Sequence, residues 1–154
     1  MRPVFVYGTL SSPQVVETLL GRPLSVESFP PAILDGHSRH PVKGFVFPAM
    51  ISNPTKQVNG LLIEDLTPKE LELFDWFESD EYIRKVVEVR TKNQKSVEAF
   101  AYIWNPDLME MLLLDQEWSF ENFCKENKEL YLKNTVTPCR KEMESLGMTI
   151  SRET

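Results

Sequence analysis

Cysteine is scarce in this chain of 154 residues: only Cys124 and Cys139 are present. Two isolated thiols exclude a disulfide framework, and neither has a nearby histidine to generate a thiolate, so both read as ordinary, reduced thiols. Histidine is equally sparse, and the six glycines form no GxGxxG, P-loop or GxSxG pattern. Nicotinamide, nucleotide triphosphate and serine-hydrolase chemistries therefore lack their anchoring motifs. Long apolar runs are missing too. Stretches such as Leu112 to Leu114 are only a few residues long, far below the roughly 18 that a membrane span needs. The start, Met1-Arg2-Pro3 followed at once by Val4-Phe5-Val6, has neither the apolar core of a signal peptide nor an Arg- and Ser-rich transit composition. A cytoplasmic location is the default expectation. Positive charge is in the minority, with 17 Lys and Arg against 23 Asp and Glu and a net charge of −6. Such a field repels phosphate backbones and anionic lipid, so neither nucleic acid nor membrane is expected as a partner.

What is there reads as one domain spanning residues 1–154. With 42% hydrophobic residues, a chain of this length buries roughly 70% of its unfolded surface, enough for a core without staples. The 11 prolines are dispersed as punctuation, and no repeat or Gly/Ser linker divides the sequence. Val4 to Tyr7 is a short apolar strand stopped by Gly8. Ser12 and Pro13 then cap a helix carrying Val15, Val16, Leu19 and Leu20 on one face, ended by Gly21. Residues 28–63 carry several brief strand signals broken by prolines and glycines, with Val58 to Ile63 the clearest, so an irregular sheet is expected. Thr67, Pro68 and Glu70 form a capping box for a helix running to about Phe77. Tyr82 to Arg90 and Ser96 to Trp104 should pair as a hairpin around Thr91 to Lys95. Helical spacing returns from Ser119 through Phe120, Phe123, Leu130 and Tyr131, and Thr137-Pro138 reads as a fresh cap for a last helix ending near Gly147. These elements point to an α+β fold or a small barrel with helical decoration.

Three constellations bear chemistry. In Tyr7-Gly8-Thr9-Leu10, a glycine at the strand end lets the chain turn, and the following amides can hold an anion such as a carboxylate. An ordinary strand-to-helix turn explains the same residues. Glu78 follows Trp76 and Phe77; bulky aromatics around a carboxyl group desolvate it and raise its pKa toward the range useful for general acid/base work. A solvated glutamate at a helix end is the plain alternative. Tyr82 and Arg84 lie on one face of a strand and could orient a carboxylate or carbonyl, or simply pack and project to solvent. Asp35, His37 and His40 look superficially like metal ligands. They sit in a Gly- and Pro-rich stretch without an HExxH or cysteine partner, and read as surface histidines; no metal is expected. Phe45, Phe47 and Pro48 read as loop packing, with a pocket wall as the second option.

Taken together and in this order and spacing, Val4-Phe5-Val6-Tyr7-Gly8-Thr9-Leu10, Asp75-Trp76-Phe77-Glu78 and Tyr82-x-Arg84 resemble the gamma-glutamylcyclotransferase-like family. Gly36 to Arg39, Val42 to Ala49 and Glu117 to Phe120 are similar to its plant, avirulence-induced-gene-like branch. Phe47 departs from the tyrosine often found before the proline in that branch. The resemblance covers residues 4–134 and implies a small mixed β-barrel with flanking helices whose cavity binds a gamma-glutamyl group. By motif, Tyr7, Gly8, Thr9 and Leu10 would hold the glutamyl carboxylate, Glu78 would be the catalytic glutamate, and Tyr82 the neighbouring tyrosine.

The implied reaction is intramolecular: the substrate's own α-amine attacks its γ-carbonyl, giving 5-oxoproline and a released amine or amino acid. No enzyme nucleophile and no cofactor is called for, which agrees with the missing triad. Glu78 would take a proton from the amine and return one to the leaving nitrogen. The alternative is a non-catalytic module binding a partner or acidic metabolite in the same cavity, and a third reading is a hydrolase of a related amide. Neither the leaving group nor the oligomeric state is legible in the sequence.

Overall fold

The computed structural model describes residues 1–149. Its centre is a closed five-stranded barrel of β1 (Val4–Val6), β2 (Pro31–Pro41), β3 (Pro48–Ile63), β4 (Tyr82–Thr91) and β5 (Ser96–Trp104), in the spatial order β1-β3-β2-β4-β5. Strand β1, Val4–Val6, is buried throughout. It pairs antiparallel with β3 through Val4–Ile63, Phe5–Leu62 and Val6–Leu61, and parallel with β5 at Val4–Phe100. The barrel interior on one face and the helices on the other explain why this short segment is apolar on both faces. Side-chain alternation then divides its residues. Phe5 and Tyr7 enter the barrel interior with Leu34, Met50 and Leu62, while Val4 and Val6 face the helices.

The chain leaves β1 through a single 3₁₀ turn, Thr9–Ser11, into helix α1, Pro13–Leu20. The Ser12 hydroxyl caps α1 by accepting from the Val15 amide at 3.4 Å, and Gly21, at φ 71°, ends it. The buried face is Val15, Val16, Leu19 and Leu20, as the spacing predicts.

Residues 28–63 depart from the expected run of short strands. They form one long antiparallel pair, β2 (Pro31–Pro41) and β3 (Pro48–Ile63). Pro31, Pro41 and Pro48 stand at strand ends, where a missing N–H costs nothing. Pro54 falls inside β3, but pairing jumps there from Asp35–Gln57 to His37–Ser52, leaving residues 53–56 outside the β2–β3 ladder opposite Gly36 at φ 73°. A bulge thus absorbs both breakers. His37 and His40 therefore lie on a strand. His40 is not a surface residue: it is buried, with Nδ1 donating to the Gln116 carbonyl at 2.8 Å and Nε2 2.7 Å from the Ser38 hydroxyl.

Helix α2, Pro68–Glu78, begins with the expected capping box: Glu70 N donates to Thr67 Oγ1 and Thr67 N donates to Glu70 Oε1, each at 3.1 Å. A short 3₁₀ turn, Ser79–Glu81, leads into β4 (Tyr82–Thr91), which pairs with β5 (Ser96–Trp104) from Tyr82–Trp104 to Arg90–Ser96. Two pairs, Ala32–Thr91 and Ile33–Arg90, join β4 to β2.

Beyond the barrel come α3 (Phe120–Glu126), α4 (Lys128–Tyr131), a π-helical turn (Leu132–Val136) and α5 (Thr137–Ser145). Thr137-Pro138 is not a fresh cap. Val136 and Thr137 are themselves helical, and the widened turn before Pro138 carries the backbone across the proline without a stop. Phe123, Val136 and Met143 from these helices pack with α1 and Phe74 of α2 against the outside of β1. The fold is the α+β barrel with flanking helices that the resemblance implies. No helix among the described residues is long and apolar enough to cross a membrane.

Candidate active site

A cavity of about 230 Å³ opens where β1 ends, between the barrel mouth and the helices. All four tyrosines of the chain, Tyr7, Tyr82, Tyr102 and Tyr131, line it.

One wall is the turn after β1. The Tyr7 hydroxyl donates to the Tyr102 carbonyl at 2.6 Å, and its own carbonyl accepts from Arg39 Nη1 at 2.5 Å. Arg39 lies 5.4 Å over the Trp118 ring, so the guanidinium that pins the turn is itself held by an aromatic face. Gly8 is required by more than the turn: an added Cβ would lie 2.8 Å from Pro48 Cγ and 2.9 Å from Cδ. Close approach of β3 demands the glycine. The turn's own hydrogen bonds run from Ser11 N to Gly8 O and from Ser12 N to Thr9 O. The first amides of such a turn have no partner within it. Thr9 Oγ1 donates to the Tyr131 hydroxyl at 3.3 Å, tying this wall to α4.

The opposite wall is the end of α2. The capping box fixes where the helix starts, its buried Leu71, Leu73 and Phe74 fix its rotation, and Glu78 falls at its last position, lining the cavity. Burial raises the Glu78 carboxyl from the ordinary value of 4.5 to about 8, with the negative charges of Glu81 and Asp75 adding to the shift. Among the described residues no donor offsets this desolvation. The aromatic surroundings differ from the expected pair: Phe77 lines the cavity, whereas Trp76 is on the outer face, 42% exposed. The tyrosines replace it. Immediately after Glu78 the backbone is strained: Ser79 adopts φ 60° and ψ −167°, a region populated almost only by glycine.

Tyr82 donates to the Pro48 carbonyl at 2.6 Å, with its ring edge-on to Trp104 at 5.0 Å. Tyr102 donates to Asp75 Oδ1 at 2.7 Å. Arg84, expected beside Tyr82, is not among the lining residues. Two positions further along β4, it is drawn outward to Asp75, with Nε 3.6 Å from Oδ1, and stacks 4.7 Å over Phe100. Phe47 and Pro48 do form a cavity wall, with the half-exposed Phe45 stacked on Phe47 at 4.9 Å.

Sequence reading missed Glu81, Tyr102, Tyr131, Thr135 and Cys139, all of which line the cavity. Glu81 carries a faint signal, standing three residues after Glu78 as the helix ends. Tyr131, Thr135 and Cys139 arrive only through packing of the C-terminal helices, which no local pattern reveals. Burial, reinforced by Glu142, pushes the Cys139 thiol up, so it is a thiol in the wall and not a nucleophile.

A partly buried carboxyl group and the turn after β1 thus line one cavity at the mouth of a small closed barrel. A gamma-glutamyl cyclotransferase of solved structure, 14% identical, shares this fold with a TM-score of 0.54, the alignment covering 99% of this chain and 90% of that one. A solution structure of an Arabidopsis thaliana protein is closer, 30% identical with a TM-score of 0.63, over 95% and 84% of the two chains. The chain belongs to the family described as gamma-glutamyl cyclotransferase, AIG2-like, whose model matches residues 4–120. Among its relatives in Arabidopsis thaliana, AIG2-like protein C is 36% identical over 147 residues, covering 92% of this chain and 78% of the relative. Protein AIG2 C is 34% identical over 143 residues, covering 92% and 81%.

Proposed function

We propose that this protein is a gamma-glutamyl cyclotransferase that converts a gamma-glutamyl amine or gamma-glutamyl amino acid to 5-oxoproline. Glu78 is its general acid/base, and the turn Tyr7 to Leu10 is the carboxylate anchor. The observation that carries this reading is the Glu78 carboxyl, lining one cavity together with Gly8, Thr9 and Leu10 of the turn and with its pKa raised to about 8.

The substrate's α-nitrogen must lose a proton before it can attack. Glu78 accepts that proton, the nitrogen lone pair adds to the γ-carbonyl carbon, and a five-membered ring closes. The ring nitrogen then sheds its second proton, and the bond from the γ-carbon to the departing nitrogen breaks as Glu78 returns a proton to that nitrogen. The two protons lost by the α-nitrogen equal the two gained by the departing amine, which leaves as an ammonium, so no other reactant is consumed. Proton transfer by a positioned group of this kind is worth about 10² to 10⁴ in rate. Holding the glutamyl chain folded draws on effective molarities of about 10⁵ to 10⁸ M. Tyr82, held against the Pro48 carbonyl, shapes the wall beside Glu78.

The test is release of 5-oxoproline from a panel of gamma-glutamyl substrates by the parent and by Glu78→Gln. Loss of the cyclic product in a folded Glu78→Gln protein is expected. Parental turnover in the variant overturns the mechanism. Release of glutamate instead of the ring identifies a hydrolase, and binding without turnover identifies a non-catalytic module.

A further inference from the structure

Apart from the turn amides, the cavity has no cationic donor among the described residues to pair with its two carboxyl groups. Its lining among the described residues includes two carboxyl side chains, Glu78 and Glu81, and no lysine, arginine or histidine. Three of its phenols have already committed their hydrogens: Tyr7 to the Tyr102 carbonyl, Tyr82 to the Pro48 carbonyl and Tyr102 to Asp75. They offer lone pairs only. The nearby guanidinium groups are engaged elsewhere, Arg39 on the Tyr7 carbonyl and Arg84 against Asp75. At the end of the cavity lined by Glu78 and Glu81, away from the turn amides, a ligand that satisfies these acceptors brings a cation with several N–H groups.

Resting on the cyclotransferase reading above, we infer that Glu81 is the substrate-binding residue for the α-ammonium of the gamma-glutamyl group. It holds the charge in place while Glu78, one turn away, exchanges the proton. In a gamma-glutamyl amide the departing nitrogen is uncharged, so the α-nitrogen is the only cation common to all such substrates. That nitrogen must reach Glu78 to be deprotonated. Glu81 is the leading charged neighbour of Glu78, so a cation at one carboxylate is also near the other.

The backbone is built to keep Glu81 there. The strained Ser79 turns the chain sharply between the two glutamates. Ser79 Oγ donates to Glu81 Oε1 at 3.3 Å, and the Glu81 carbonyl accepts from Asn105 N at 2.8 Å. One carboxylate oxygen is steadied by a hydroxyl, and the other has no such tether. A division of labour follows. A single carboxyl that resides largely protonated near neutral pH is a poor permanent counter-ion, and a second one relieves it of that duty.

The experiment compares two probes that differ only in the α-amine, L-glutamine and glutaramate, by their dissociation constants for the parent, Glu81→Gln and Glu81→Asp. The parent is expected to prefer glutamine by about tenfold or more, the scale of a charge-assisted contact. In Glu81→Gln the preference falls to within about twofold while glutaramate binding is unchanged or tighter, and Glu81→Asp restores part of it. Binding of neither probe by the parent, equal binding of both, a preference that survives in Glu81→Gln, or an equal loss of both probes overturns the inference. If 5-oxoproline never forms but the Glu81-dependent preference is present, the turnover reading fails and the ammonium site stands.

Discussion

Helix α2 carries a glutamate near each end, and the two are treated in opposite ways. Glu70, at the N-terminal end, accepts from the Thr67 amide at 3.1 Å and takes both Nε and Nη2 of Arg22, at 2.5 and 2.8 Å. Burial works against its charge, but the Arg22 hydrogen bonds and the Thr67 amide outweigh it and bring the pKa below its ordinary value. Glu78, at the C-terminal end, has burial and two like charges and no donor, so its pKa rises. The helix dipole sharpens the contrast, since a negative charge is favoured at the first turn and disfavoured at the last. The same residue type on the same eleven-residue helix is a paired structural anion at one end and, on the cyclotransferase reading, the reactive group at the other. What distinguishes them is whether the fold supplies a counter-ion.

The largest expected break in this symmetry is catalytic. Glu78→Gln should lower 5-oxoproline release by about 10² to 10⁴, while Glu70→Gln leaves kcat within a few-fold of the parent; a product assay on both folded variants checks it.

Next in size is the pH dependence. In the free protein the base form of Glu78 is populated only above about pH 8, so kcat/KM should fall about tenfold for each pH unit below that value. The limb should be absent from any residual rate of Glu78→Gln. A profile flat from pH 6 to 9 contradicts the assignment.

Stability should separate the two residues by sign. Glu70 has a depressed folded pKa, so its contribution is present above its unfolded titration range and is lost as pH falls through the lowered value. Glu70→Ala should cost about 2 to 4 kcal/mol at pH 7 through the lost cap and the stranded Arg22. Glu78 has a raised folded pKa, so the native state binds the extra proton between 4.5 and about 8 and loses stability as pH rises across that window. Glu78→Gln should therefore gain on the parent by up to about 1.4 kcal/mol for each pH unit between 4.5 and about 8, and be no more stable at pH 4. Denaturant melts at pH 4 and pH 8 read this out.

The smallest effect concerns the joint after Glu78. Ser79→Gly relieves a conformation costing about 1 to 3 kcal/mol, less the added freedom of glycine in the unfolded chain, for a net gain of about 1 kcal/mol. A thermal melt should show that gain together with a few-fold loss of kcat, because the turn that aims Glu78 and Glu81 is loosened.

The end of α2 that builds the fold was the more legible in the sequence. Thr67-Pro68-x-Glu70 states its own geometry, because a capping box needs only residues within one turn. Glu78 could be singled out only through its resemblance in register with Tyr7 to Leu10 and Tyr82, since the burial that makes it reactive comes from distant segments. Arg84 shows the limit: strand alternation puts it on the right face, but not how far along that face the cavity extends. His40 and Pro54 show another, because their surroundings depend on the β2–β3 bulge and on Gln116, which local pattern does not encode. Tyr131 and Cys139 were invisible for the same reason.

The reach of the C-terminal helices into the cavity has an evolutionary consequence. The shared family pattern ends at residue 120, yet Tyr131, Thr135 and Cys139 close one side of the chamber. On the cyclotransferase reading, proton exchange and anchoring fall within the matched portion, whereas this side comes from residues beyond it. Substitutions there are then expected to change which departing amine is accommodated more than the reaction itself. Grafting residues 128–145 between relatives becomes a direct way to transplant selectivity.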